Sequence, residues 1–93
     1  MSTQFAQGGT PINLTSSAAV SKASGTIIGF YVNNKGLNAT LVLSHGSVTG
    51  GTAITGTITP LIGYYDLKIY CPTGLFATIA VAAMDITFFF AAG

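Results

Sequence analysis

Gly63-Tyr64-Tyr65-Asp66-Leu67-Lys68-Ile69-Tyr70, followed by Cys71-Pro72-Thr73-Gly74 and then Leu75-Phe76-Ala77-Thr78-Ile79, is the stretch that decides the fold. Residues two apart on a strand point to the same side, so Tyr65, Leu67 and Ile69 share one face and Asp66 and Lys68 the other. Leu75, Ala77 and Ile79 repeat the pattern beyond Pro72-Thr73-Gly74, whose proline and glycine mark a reversal. A run that alternates, reverses and alternates again predicts antiparallel β structure.

The same pattern extends outward in both directions. Short runs rich in β-branched and aromatic residues, set apart by Gly, Asn, Ser and Pro clusters, predict strands at Ile12–Val20, Gly25–Val32, Ala39–Ser44, Thr52–Thr59, Gly63–Tyr70, Leu75–Val81 and Met84–Ala91. About seven to eight strands without helical periodicity predict an all-β fold, an antiparallel β-sandwich or jelly-roll-like domain over 12–93. Residues 1–11, polar apart from Phe5 and ending in Pro11, read as an N-terminal arm. Alternation assigns Ile28, Phe30 and Val32, Leu41 and Leu43, Ile54 and Ile58, and Ile86, Phe88 and Phe90 to the core with the faces named above. Asn33-Asn34-Lys35-Gly36, Gly46 with Gly50-Gly51, and Pro72-Thr73-Gly74 mark reversals, for which hairpins are the economical topology.

Charge narrows the function. The 93 residues hold three Lys, no Arg, two Asp and no Glu, so 5% are charged, against roughly 25% in an ordinary soluble domain. A free monomer keeps apart from its neighbours with scattered charge, which this surface lacks. A net charge of +1 with no basic cluster offers almost no counterion release, which argues against nucleic acid as a partner. Mean hydropathy is +0.65, yet Leu75–Met84 falls well short of the ~20 apolar residues a spanning helix needs. No membrane role is therefore expected. The start of the chain lacks the basic and apolar regions of a secretory signal, so synthesis in a cytoplasm is expected.

Chemistry has few residues to work with. Asp66, Asp85, His45, Cys71, three Lys and four Tyr are the whole titratable inventory, and general acid–base or nucleophilic catalysis needs such groups in positioned pairs. A Cys71–His45 pair has no local support. Cys71 reads as a small buried apolar residue and His45 as a turn histidine. Calcium would want several carboxylates, and no Cys/His spacing suits zinc. No catalytic residue, cofactor or metal ligand is expected.

What remains is surplus apolar surface. Phe89 in Phe88-Phe89-Phe90 must point away from its two neighbours, and Phe76 opposes Leu75 and Ala77. With Phe5 in the arm, these rings are the candidate subunit-interface residues. Tyr31, Tyr64 and Tyr70 are candidate surface aromatics, able to act as stacking platforms.

The segments Gly25-Thr26-Ile27-Ile28-Gly29-Phe30-Tyr31-Val32-Asn33, Gly51-Thr52-Ala53-Ile54, Thr57-Ile58-Thr59-Pro60, Thr73-Gly74-Leu75-Phe76-Ala77-Thr78-Ile79 and Asp85-Ile86-Thr87-Phe88-Phe89-Phe90 together resemble small virion proteins encoded near the structural genes of tailed bacteriophages. The resemblance implies a capsid decoration or cement protein, made in the bacterial host cytoplasm and seated on the outer capsid surface. Its partners would be the major capsid protein and further copies of itself, a trimer being favoured. The sequence also admits a fibre or spike knob that binds host-surface glycans through its tyrosines, and a neck or tail component.

Overall fold

The structure, a computed structural model, describes residues 9–48 and 50–93. Its seven strands are β1 (Thr10–Leu14), β2 (Ala18–Ser21), β3 (Gly25–Asn34), β4 (Thr40–His45), β5 (Gly63–Cys71), β6 (Leu75–Ala80) and β7 (Asp85–Ala92). They form a four-stranded sheet in the order β1-β7-β3-β5 and a three-stranded sheet in the order β2-β6-β4, antiparallel throughout. The two sheets pack their apolar faces together as a β-sandwich, and no helix occurs among the described residues, hence none that could cross a membrane.

Thr52–Thr59 is not a regular strand, although it lies beside β4 in a strand's place. Isolated bridges join Ser44 to Ala53 and Leu41 to Ile58. Between them the chain bulges. The Ile54 and Thr55 amides both donate to the Leu43 carbonyl, at 2.7 and 3.2 Å, and the Leu43 amide donates to Thr55 Oγ1 at 3.1 Å. A side-chain hydroxyl thus replaces a backbone acceptor, and Gly56 follows where the ladder breaks.

With this segment counted, the pairing is nested. β1 lies on β7, β2 on β6, β3 on β5, and β4 on 52–58. That is one long antiparallel hairpin rolled into two layers, the winding of a jelly roll. It corrects the expectation of local hairpins. Only the Gly46 to Gly51 reversal joins neighbours that pair, whereas 35–39 and 72–74 carry the chain from one sheet to the other. The predicted strand Ile12–Val20 divides in the same way, with β1 and β2 in different sheets. β1 starts at Thr10, and Pro11 is accommodated because β1 is an edge strand.

Ile27, Phe30, Val32, Leu41, Leu43, Leu75, Ile86 and Phe88 are buried almost completely, each contributing about 1.5–3 kcal/mol of apolar transfer. Phe30 stacks on Tyr65 at 5.0 Å and meets Phe88 at 5.7 Å. Ile28 is the exception to the predicted core. Between Ile27 and Gly29 the β3 register shifts against both neighbours, so Ile27 and Phe30 both face inward and Ile28 sits half-buried on the bulge.

Candidate functional site

Two surfaces stand out, and the winding of the chain creates both. The first is the outer face of the four-stranded sheet. Asn13 opposes Thr87, Thr87 opposes Tyr31, and Tyr31 opposes Tyr64, giving one row of four side chains across β1, β7, β3 and β5. At inter-strand spacings of ~4.8 Å the row is about 14 Å long. Tyr31 and Tyr64 are 40% and 50% exposed.

Gly29 shapes this face. A Cβ there would meet Tyr64 Oη and the Tyr65 carbonyl, so the Tyr64 side chain lies across the sheet over the glycine. Phe89, opposite Gly29, is half-buried with its ring 6.1 Å from that of Tyr64. Tyr70 shares the face but lies opposite Thr26, six residues or about 20 Å along the strand from Tyr64.

At the β1 end of the row the polar groups form a network. Asn13 Nδ2 donates to Asp85 Oδ1 at 2.7 Å and to Thr87 Oγ1 at 3.2 Å. Asn33 Nδ2 donates to Thr87 Oγ1 at 3.0 Å and reaches Asp85 Oδ1 at 3.4 Å. A second register shift of β3 against β7, between Val32 and Asn34, brings Asn33 to this position. Asp85, the first residue of β7, accepts from both asparagines.

The second surface is one end of the sandwich, where the loops 15–17, 35–39, 59–62 and 81–84 meet. Leu37 (79%), Leu61 (65%), Ile62 (60%) and Val81 (77%) are all exposed there. Two clefts open between these loops. One of 220 Å³ is lined by Lys35, Gly36, Ala39, Pro60 and Leu61, and one of 300 Å³ by Thr15, Ser16, Ile79, Val81 and Ala82. The loops are tied down. Tyr65 Oη accepts from the Leu61 amide at 2.8 Å and donates to its carbonyl at 3.2 Å, and the Met84 amide donates to the Thr15 carbonyl at 3.4 Å. Gly9 and Gly93 lie at the opposite end, beside Phe90 and Ser24.

Phe76 and Phe89, the paired candidates of the sequence, lie on different sheets. Phe76 is half-buried between Ala19 and Ser44 on the outer side of the three-stranded sheet, so one flat partner cannot touch both rings. Phe5 lies outside the described residues. The four aliphatic loop tips escaped the sequence reading. Their signal was present: Leu37 sits between Gly36 and Asn38, and Leu61-Ile62 between Pro60 and Gly63, where solvated turns favour polar residues.

The other reactive groups are dispersed. Cys71 is fully buried and burial pushes its thiol up, outweighing a hydrogen bond with the Ile27 backbone that lowers it. His45 ends β4 with Nδ1 buried and without a partner among the described residues. Lys68 pairs with Asp66 at 3.8 Å on the exposed edge strand β5, and no cluster of three potential metal ligands occurs among the described residues. Set beside known proteins, the chain matches no family model, no curated protein and no solved structure.

Proposed function

We propose that this chain is a structural virion protein of the capsid decoration, or cement, type, which binds the outer capsid surface and stabilises the shell by bridging neighbouring capsomers. The observation that carries the reading is the aliphatic end: four exposed side chains on three loops, flanked by two clefts, in a chain with five charged residues. Apolar tips clustered at one end and rimmed by clefts suit a protein contact. Gly9 and Gly93 lie at the other end of the sandwich.

The mechanism is adhesion without catalysis. The loop end seats between subunits of the major capsid protein, and copies of the chain, as trimers, hold several capsomers at once. Rupture of the shell then requires many apolar contacts to break together. No nucleic acid, membrane or cofactor takes part. The protein is made in the cytoplasm of a bacterial host and works on the virion surface.

Purified particles test this. The chain should saturate them at a fixed copy number and survive a high-salt wash, because screening weakens charge pairs and leaves apolar contacts intact. The double variant Leu61→Asp with Val81→Asp should keep its fold and lose at least ~100-fold in particle affinity, the scale of losing two interface anchors. Quantitative stripping by salt, or a few copies confined to a neck, tail or fibre, would overturn the proposal.

A further inference from the structure

We infer that the outer face of the four-stranded sheet is a binding site for a neutral oligosaccharide, centred on the row Asn13, Thr87, Tyr31 and Tyr64 with Asp85 and Asn33 beside it. This goes beyond the cement reading, uses a different surface and is tested on the free chain.

The composition of the row selects the ligand. Sugar sites combine an aromatic surface for the C–H face of a pyranose with a few fixed polar groups for its hydroxyls. Here Tyr64 rests over Gly29 and stays half exposed, with Tyr31 beside it in register. The asparagine amides spend their N–H groups on Asp85 Oδ1, Thr87 Oγ1 and, for Asn13, the Ile86 carbonyl. Among the described residues no side-chain donor reaches Asn13 Oδ1, Asn33 Oδ1 or Asp85 Oδ2. Acceptors on one side and rings on the other, along about 14 Å, match a short chain of linked polyols.

Other occupants fit less well. A flat apolar protein surface would strand those acceptors away from water, at a cost for each. A calcium ion wants six to eight oxygens and several carboxylates, and Asp85 is the single carboxylate in the network. That carboxylate also disfavours acidic sugars, since Lys68 is engaged with Asp66. The polar network alone would serve as a cross-strand ladder joining β1, β7 and β3. A purely structural ladder does not need the two tyrosines exposed in the same row.

The test is an NMR titration of the isotopically labelled full chain with maltotriose, cellotriose, chitotriose and mannotriose, and with sialyllactose as the acidic counterpart. At least one neutral sugar should bind with a dissociation constant near ~1 mM, shifting the Tyr31 and Tyr64 rings and the Asn13 and Asn33 side-chain amides. Tyr31→Ala and Asp85→Asn should each weaken binding about tenfold with the remaining spectrum unchanged, whereas Tyr70→Ala, outside the row, should leave it unaltered. The inference falls if none of the four neutral sugars shifts these signals. It falls equally if the shifts lie in the loop-end clefts, if Tyr31→Ala binds as wild type does, or if sialyllactose binds more tightly.

Discussion

Val81 combines a β-branched side chain, a φ of 76° and 77% exposure. A non-glycine residue at positive φ costs about 1–3 kcal/mol, and the exposed valine recovers little of that by burial in its own chain. Glycine would adopt the same backbone without strain. Val81→Gly should therefore raise the urea midpoint by an amount equivalent to about 1 kcal/mol while weakening particle attachment. A variant that gains stability and still attaches as tightly would remove Val81 from the contact. Lys68, at φ 57°, is strained in the same sense but sits on the bulge of β5 beside Asp66. Its charge and kink there guard a nine-residue edge strand against pairing with other chains.

Among the elements, the segment 52–58 is joined to the sheet on one side, through β4, without a regular ladder. Its attachment to β4 runs through five backbone hydrogen bonds and the Thr55 hydroxyl. Thr55→Val keeps the side chain's shape but leaves the buried Leu43 amide without its acceptor, which costs about 1–2 kcal/mol. Hydrogen exchange at Leu43 and its neighbours should accelerate in Thr55→Val and remain near wild type in Thr55→Ser. Equal exchange in both variants would mean that the hydroxyl does not hold the segment. The strands β3 and β7 behave differently, because each is central to the larger sheet and paired on both sides.

Across the whole molecule the exposed large apolar side chains fall into separate groups. Leu37, Leu61, Ile62 and Val81 crown one end, Tyr31, Tyr64 and Tyr70 lie on one sheet face, and Val48 stands apart near the other end. With a net charge of +1, long-range repulsion does little to keep copies separate. The free chain should therefore self-associate near neutral pH, more so as salt rises. Leu61→Asp with Val81→Asp should shift it towards monomer in sedimentation velocity. A wild-type chain that stays monomeric in concentrated solution would contradict the oligomeric part of the proposed function.

The residue pattern alone was enough for the β class, for the positions of β3 to β7 to within a few residues and for most of the core, because alternation with period two reports directly which side chains must leave water. It also marked Tyr31, Tyr64, Tyr70 and Phe89 as outward-facing rings. It could not say which strands pair. A strand with one apolar face is satisfied equally by a neighbour in its own sheet or by a facing sheet across the core, so Pro72-Thr73-Gly74 reads alike as a hairpin turn and as a crossing between layers. The shift at Ile28 was hidden for a related reason: a bulge inverts the alternation without changing composition. Only the tertiary winding put Asn13, Thr87, Tyr31 and Tyr64, up to 74 residues apart, into one row, and gathered Leu37, Leu61, Ile62 and Val81 at one end. Both surfaces arise from closure of the long rolled hairpin, a contact order that no local stretch of sequence carries.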